Sequence, residues 1–104
     1  MAEVRWTTPA LESLRRILEY IAEDSPIYAE RFGSRVIAAP KILKRYPYTG
    51  RIVPEYGDER IREIIVGAYR IIYAIREKVC YVVAIVHGSR DLLRHIDVNP
   101  WIIE

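Results

Sequence analysis

The stretch YRIIYAIREKVCYVVAIVHGSRDLL, residues 69–93, decides the fold. Most of its residues are β-branched or aromatic, which favours β-strands. The pair Glu77-Lys78 lies in its middle and is short enough for a hairpin turn. We therefore predict two antiparallel strands, at 69–76 and 79–87. A four-residue loop over 76–79 is an alternative that keeps the same cross-strand pairing.

A third strand is predicted at 60–66, joined to this hairpin by the short turn Gly67-Ala68. Successive side chains of a strand alternate between the two faces of a sheet, so counting through both turns assigns each residue to a face. One face is uniformly apolar and is expected to lie under helices: Ile64, Val66, Tyr69, Ile71, Tyr73, Ile75, Cys80, Val82, Ala84 and Val86. The second face is aliphatic in its middle and polar at its ends: Ile61, Glu63, Ile65, Arg70, Ile72, Ala74, Arg76, Val79, Tyr81, Val83, Ile85 and His87.

The N-terminal half is predicted to be helical after a short strand at 3–7. Thr8 and Ser25 each precede a proline, and a capping residue followed by proline is typical of a helix start. Apolar residues at helical spacing follow both positions. Pro40 should kink or break the second helix, since it removes a helical hydrogen bond. A loop is then expected to run to about Glu59.

These elements predict an α+β fold. An N-terminal strand precedes an α-helical hairpin packed on one face of a mostly antiparallel sheet, in the order β-α-α-β-β-β, with a short C-terminal helix capped by Asp91. The 104 residues contain no repeat or linker, so we expect a single domain over 1–104. No apolar run approaches the ~20 residues of a membrane span. The first residues lack the pattern of a secretory signal, and none is expected.

Cysteine and histidine are scarce. Cys80 is the only cysteine, and His87 and His95 are the only histidines. One thiol cannot form a disulfide within the chain, and a reducing cytoplasm is the expected location. Because one cysteine and two histidines make a poor metal site, we expect neither a metal nor another cofactor.

A cationic cluster is predicted at one end of the second face. In the predicted register Arg70 lies opposite Ile85 and diagonal to His87, and Arg90 follows a few residues later. Arg70, His87 and Arg90 are therefore candidate catalytic residues. The alternative is structural, because Glu63 lies diagonal to Arg70 on the same face and would pair with it. A partly exposed pair of this kind contributes only ~0.5 kcal/mol.

The aliphatic centre of the second face is a candidate partner site. Contiguous exposed apolar patches usually mark such sites, and within the chain only the tail near Trp101 is left to cover this one. A partner protein that lays a helix or strand on the face is the alternative. The candidate partner-binding residues are Arg70, Ile72, Val83, Ile85 and Trp101.

The charge of the chain is unevenly distributed. The net charge is only +2, yet no acidic residue lies between Glu30 and Glu55. A solvated helix face, with cations near its C-terminus where the helix dipole favours them, is one interpretation. A docking patch for an acidic partner or for phosphates is the other. Six cationic residues lie in this interval: Arg31, Arg35, Lys41, Lys44, Arg45 and Arg51.

Four segments, in this order and spacing, resemble the RelE/ParE toxin family. They are ALESLRRILEYIAEDSPIYAERF at 10–32, YPYTGRIVPEY at 46–56, RIREIIVGAYRIIYAI at 60–75 and VVAIVHGSRDL at 82–92. The resemblance implies the toxin component of a type II toxin–antitoxin, or plasmid-stabilisation, module. It also implies a helical hairpin packed on a mostly antiparallel sheet. The expected partner is a cognate antitoxin that is small, acidic and partly disordered.

The resemblance implies one of two targets. RelE-like members cleave messenger RNA on the ribosome, where cations and a proton-transfer group surround the scissile phosphate. ParE-like members inhibit DNA gyrase and need no nuclease chemistry. The segments VHGSRDL and GRIVPE are similar to ParE-like members.

Matched by position, the RelE-like catalytic pattern fits this chain only in part. Arg70 and Arg90 correspond to two catalytic arginines. The two lysines expected on the preceding strand fall at Ile61 and Glu63, and the expected tyrosine falls near Ile96. Two lost cations and an added carboxylate would cost several kcal/mol of transition-state stabilisation.

His87 could transfer a proton near neutral pH, but it does not replace the two lysines. The leading hypothesis is therefore a non-enzymatic, ParE-like inhibitor of DNA gyrase, neutralised by an antitoxin. The alternative is a ribosome-dependent mRNA endoribonuclease that uses Arg70, His87 and Arg90. A third hypothesis is a toxin fold that only binds its antitoxin.

Overall fold

The computed structural model describes residues 1–89. It consists of a five-stranded sheet with two helices on one face. The strands lie in the order β1-β5-β4-β3-β2; β1 runs parallel to β5, and the other neighbours are antiparallel. The predicted α+β fold is confirmed; the short C-terminal helix predicted after Asp91 lies outside the described residues. Its elements are β1 Glu3–Trp6, α1 Thr8–Asp24, α2 Pro26–Ala38, a 3₁₀ segment Ala39–Lys44, β2 Arg51–Ile52, β3 Ile61–Val66, β4 Tyr69–Arg76 and β5 Val79–His87.

Both predicted hairpin turns are present with two residues each. Val66 pairs with Tyr69, and Arg76 pairs with Val79, so the four-residue alternative does not occur. Gly67 has a φ of 59°, which glycine adopts without steric cost. Glu77 has a φ of 55°, a conformation that costs a residue with a Cβ about 1 kcal/mol. The pairing of two long strands therefore imposes this turn on a residue poorly suited to it.

Side-chain caps fix the starts of both helices. Ser25 caps α2 as predicted, accepting a hydrogen bond from the Tyr28 N–H at 3.1 Å. The cap of α1 is Thr7 rather than the predicted Thr8. The Thr7 hydroxyl accepts from the Ala10 N–H at 3.3 Å and lies 2.9 Å from the Val82 carbonyl oxygen, to which it donates. This second bond ties the helix start to β5, a tertiary contact that local spacing does not reveal.

Pro40 ends α2, as predicted. The α-helix stops at Ala38 and the chain continues as a 3₁₀ turn, because proline has no N–H for the next helical bond. The apolar sides of both helices pack on the sheet in one cluster. Its buried members are Ala10, Leu14, Phe32, Val36, Val66, Ile71, Val82 and Ile85.

A β-bulge in β5 corrects the predicted register. Ile72 pairs with Ala84 while the next residue, Tyr73, pairs with Val82, which leaves Val83 as an extra residue in β5. An inserted residue reverses the alternation of faces beyond it. The predicted faces of β5 are therefore right up to Val83 and wrong for the four residues after it, Ala84, Ile85, Val86 and His87.

The chain itself covers the centre of the second face of the sheet. Val53, fully buried, packs with Ile61, Ile72 and Val83, and Tyr56 adds to the same cluster. The tail near Trp101 or a partner protein was predicted to cover this aliphatic face, but Val53 and Tyr56 cover its centre. The segment between the 3₁₀ turn and β3, predicted as an open loop, supplies the cover and includes the short strand β2. The tail lies outside the described residues.

The covering segment is anchored by Tyr73 of β4. The buried Tyr73 hydroxyl donates to the Pro47 carbonyl oxygen at 2.8 Å and accepts from the Gly50 N–H at 3.0 Å. Burial raises the pKa of Tyr73, so the hydroxyl keeps its proton for this bond. A Cβ at Gly50 would lie 2.6 Å from the Tyr73 hydroxyl oxygen, so only glycine fits this approach.

Within residues 1–89, no helix is long and apolar enough to cross a membrane.

Tyr73→Phe should lower the free energy of unfolding by about 1–3 kcal/mol, because the buried Gly50 N–H and Pro47 carbonyl both lose their partner. Urea denaturation measures the loss. Tyr20→Phe is the matched control, since Tyr20 is 70% exposed and should change stability by less than about 0.5 kcal/mol. Equal midpoints for the two variants would contradict an anchoring role for the Tyr73 hydroxyl.

Candidate functional site

Two charged residues lie buried under the covering segment, Glu63 on β3 and Arg70 on β4. Glu63 is 2% exposed and Arg70 is 6% exposed. Ionised side chains are almost never buried without partners. Their partners come from the covering segment: Arg51 on β2 and Glu55 in the following loop. We call these four residues the Arg70 network.

The guanidinium group of Arg70 is bound on all three nitrogens. Nε donates to Glu63 Oε1 at 2.6 Å. Nη1 and Nη2 donate to Glu55 Oε2 and Oε1, each at 2.7 Å, in a bidentate pair. Such paired, charge-assisted bonds are the strongest that an arginine forms with a carboxylate. Arg70 therefore joins the covering segment to the centre of the sheet.

Glu63 is the buried link between two cations. Its Oε1 accepts from Arg70, and its Oε2 accepts from Arg51 Nε at 2.6 Å. The Glu63 side chain is fully buried, while that of Arg51 is 63% exposed. Strand pairing makes this possible, because β2 places Arg51 directly opposite Glu63. The network thus runs from the core to the surface through one carboxylate.

The Arg70 network is electrically balanced, with two cations and two carboxylates. The hydrogen bonds that Arg70 donates to Glu55, and then the one it donates to Glu63, raise the pKa of Arg70 above its ordinary value in spite of burial. Arg70 in turn lowers the pKa of Glu55. Arg70 and Glu55 are therefore both charged at neutral pH, and their charges match each other.

The structure separates Arg70 from His87, which contradicts the predicted cluster. Arg70 pairs with Val86 across the strands, and His87 pairs with Tyr69. The His87 ring contacts Tyr69 edge-on at a centroid distance of 5.3 Å, on the helix side of the sheet. Its Nδ1 accepts from the Ser89 N–H at 3.1 Å. The bulge at Val83 is the physical reason, since it turns the end of β5 over. Arg90 lies outside the described residues.

The predicted partner-binding residues are also divided. Ile72 and Val83 do share the second face, but both are buried beneath Val53. Ile85 lies in the core under the helices, opposite to its predicted side. Trp101 lies outside the described residues. These residues therefore do not form one exposed apolar docking face. Burial also leaves little of the Arg70 side chain exposed to a partner.

Sequence reasoning found the Glu63–Arg70 pair but missed Glu55. The diagonal position of Glu63 predicted its contact with Arg70, and this alternative is confirmed. Glu55 lies 15 residues before Arg70 in a segment without periodicity. Its only signal is that it is the first acid after a long basic interval. A tertiary contact of this kind has no local pattern.

Two further features of the described residues bear on chemistry. A groove of about 750 Å³ lies between α1 and the end of β5, lined by Arg16, Tyr20, Tyr69 and His87 among others. Cys80 is buried, and burial raises the pKa of its thiol, so it stays protonated and unreactive. Within residues 1–89, no group of three metal-ligating side chains comes together.

Glu55→Gln should make folding less sensitive to acid. Because Arg70 lowers the pKa of Glu55 below 4.5, the folded state gains stability from this carboxylate above its unfolded pKa. That contribution is lost as the pH falls through the lowered folded pKa. We expect a destabilisation of about 1–2 kcal/mol at pH 7 that shrinks as the pH drops below about 4.5. Urea denaturation between neutral and acid pH measures it.

Glu59→Gln is the matched control for this pH series. Glu59 is exposed, and no cation of residues 1–89 pairs with its carboxylate. A difference between the Glu55 variant and the wild type that stays constant from neutral to acid pH would show that the ion pair is not the source of the effect.

Glu63→Gln should destabilise the fold by about 3–5 kcal/mol, since it leaves Arg70 partly uncompensated in the core. Glu3→Gln breaks an ion pair with Arg5 whose side chains are more than half exposed, and should cost less than about 1 kcal/mol. Thermal and urea unfolding compare the two. The double variant Glu63→Leu/Arg70→Met removes both buried charges and should recover most of the loss. Similar stability for both single variants would refute the buried-charge explanation.

Comparison with known proteins places the chain in a family. Residues 4–92 match the family described as the ParE toxin of the type II toxin–antitoxin system parDE. A curated relative, Toxin RelE2 of Caulobacter vibrioides, is 35% identical over 91 residues, covering 86% of this chain and 99% of that protein. The structure also superimposes on a chain of the chromosomal ParDE system from P. aeruginosa with a TM-score of 0.71. That chain is 17% identical, and the match covers 86% of this chain and 98% of that one, so it supports the fold alone.

The resemblance read from the sequence is thereby confirmed. The family match spans nearly all the residues that form the sheet and the helices, and the relative is matched over almost its whole length. Membership implies a cognate antitoxin as partner. The chain belongs to the ParE toxin family and is a toxin of a type II toxin–antitoxin system.

Proposed function

We propose that this toxin acts as a non-enzymatic inhibitor of DNA gyrase. The names of the matched family and of the relative differ, ParE for one and RelE2 for the other. The fold is shared by both kinds of toxin, so the target must be argued from the site. The observation that carries the proposal is the state of Arg70.

Arg70 is poorly available to a substrate phosphate. Three of its five N–H donors are held by Glu55 and Glu63 at 2.6–2.7 Å, and its side chain is only 7% exposed. To stabilise the charge that develops during RNA cleavage, the buried guanidinium group would have to become accessible while two carboxylates hold it. A messenger RNA phosphate would also approach next to two negative charges. Both effects oppose phosphodiester chemistry at this position.

The strand before Arg70 is equally unsuited to RNA cleavage. Ile61 and Glu63 stand where the resemblance expects the lysines of a ribonuclease. Ile61 is 7% exposed and belongs to the apolar cluster, and Glu63 is buried in the Arg70 network. No cation from these two positions can therefore contribute to an electrostatic site.

His87 does not complete a ribonuclease site with Arg70. The two side chains lie on opposite faces of the sheet, so one phosphate cannot contact both. General acid–base catalysis requires the transferring group within hydrogen-bonding reach of the reacting atom. These three observations favour the gyrase target over the alternative mRNA endoribonuclease.

The antitoxin is expected on the helical hairpin. The face that carries Ile72 and Val83, predicted as a partner site, is buried at its centre by the chain itself. The hairpin instead exposes several large apolar side chains, an arrangement that suits an amphipathic partner segment. Those at least half exposed are Leu11, Tyr20, Ile27, Tyr28 and Ile37.

A supercoiling assay with purified gyrase tests the proposed target. The toxin should abolish supercoiling of relaxed plasmid at near-stoichiometric ratio, and prior mixing with its antitoxin should restore it. The double variant Glu63→Leu/Arg70→Met should inhibit gyrase within a few-fold of the wild type. It removes both buried charges together, so the fold is retained, and Arg70 is not expected to contact gyrase. The parallel assay is primer extension on ribosome-bound messenger RNA.

Two results would overturn the proposal. One is full gyrase activity at large toxin excess. The other is codon-specific cleavage of ribosome-bound message that disappears in the double variant while its circular dichroism spectrum stays native. Growth arrest without either effect would indicate another target, whereas no growth arrest on expression would indicate a fold that only binds its antitoxin.

A further inference from the structure

A strongly basic surface lies away from the Arg70 network. Six of the 16 cationic residues fall within 31–54, and none of the 14 acidic residues does. Arg51 belongs to the Arg70 network, but the other five are exposed on α2, the 3₁₀ segment and the residue after it. We call this the α2–3₁₀ surface. Its cations are Arg31, Arg35, Lys41, Lys44 and Arg45.

The cations of the α2–3₁₀ surface are not neutralised by the rest of the described chain. No carboxylate of residues 1–89 forms an ion pair with any of them, although seven ion pairs occur elsewhere in that range. On α1, by contrast, Arg15 pairs with both Glu12 and Glu19. The nearest acid in sequence is Glu30, at the edge of the surface. Unpaired cations on one side of a protein attract a polyanion.

The core holds these cations in a fixed array. Phe32, Val36 and Leu43 of the same elements are buried, which fixes the backbone that carries the cations. Arg31 and Arg35 are one helical turn apart, about 6 Å. Lys41 and Lys44 are separated by about 6 Å along the 3₁₀ segment. The surface as a whole extends over roughly 20 Å.

The surface continues into a groove with further cations. This groove, of about 290 Å³, is lined by Lys44, Arg45, Lys78 and the Tyr48 ring, together with the N-terminal residue. The Lys44 carbonyl oxygen accepts from the Ala2 N–H at 2.8 Å, which fixes the N-terminal segment at its rim. Glu77 is the one carboxylate among the described lining residues. The groove adds positive charge at the end of the array.

We propose that the α2–3₁₀ surface binds the phosphate backbone of duplex DNA without sequence preference. Isolated lysine and arginine side chains on a helix surface are the usual donors to backbone phosphates. Lysine is depleted in protein interfaces, whereas this surface presents Lys41 and Lys44 beside its arginines. B-DNA carries a charge every ~1.7 Å of its axis, so a surface of roughly 20 Å faces enough phosphates for five contacts. Only the choice of duplex over single-stranded nucleic acid rests on the proposed gyrase target.

Fluorescence anisotropy with the wild-type toxin and a short labelled duplex, without gyrase, tests the inference. Five phosphate contacts predict a slope of about −4.5 for log K against log salt concentration, which corresponds to about a 500-fold loss of affinity from 50 to 200 mM salt. Arg31→Gln/Arg35→Gln should reduce the slope by about 1.8, since two contacts are removed. Because gyrase is absent, this result does not depend on the proposed function.

Arg16→Gln/Arg76→Gln is the matched control. It removes the same charge from exposed positions that form no ion pair within residues 1–89 and should leave the slope unchanged. Three results would overturn the inference: equal slopes for the two double variants, tighter binding to single-stranded than to duplex DNA, or tighter binding to an acidic peptide that is lost in Arg31→Gln/Arg35→Gln. The last result would assign the surface to an acidic protein.

Discussion

The buried guanidinium group of Arg70 is the constraint on which the second face of the sheet depends. A cation at the centre of a sheet is tolerated only if its charge is balanced and its nitrogens are hydrogen-bonded. Glu63, on the neighbouring strand, satisfies one nitrogen. Glu55 satisfies the other two, and it can do so only if the segment before β3 folds back over the sheet. The need of Arg70 for a carboxylate partner therefore helps to hold the covering segment over the second face of the sheet.

The covering segment is held by polar contacts at both ends as well as by apolar burial at its middle. Tyr73 binds the segment near Gly50, and Arg70 binds it at Glu55. Val53 fills the space between these two anchors. Arg70, which the resemblance assigns to the electropositive site of a ribonuclease, is thus used to complete a core. A structural use of Arg70 and a catalytic one compete for the same donors, which is why the geometry bears on function.

Positive charge is segregated from this core. The Arg70 network balances its own charges, whereas the α2–3₁₀ surface leaves five cations facing solvent. One part of the molecule uses its charges within the fold, and another leaves them exposed to solvent. Our proposals assign the apolar side chains of the helical hairpin to the antitoxin and the basic α2–3₁₀ surface to DNA.

The sequence by itself determined the elements, because turns, caps and apolar period are local properties. Four of the five strands, the Ser25 cap, the break at Pro40 and the Gly67-Ala68 turn follow from neighbouring residues. So does the Glu63–Arg70 pair, since diagonal positions on paired strands are fixed by the turns. Tertiary structure decided the bulge at Val83, because Val83 and Ala84 are both apolar and suit either face. Tertiary structure also decided that Arg70 pairs with Glu55. The covering segment folds over the sheet only when three contacts form together: the Arg70–Glu55 ion pair, the hydrogen bonds of the Tyr73 hydroxyl and the burial of Val53.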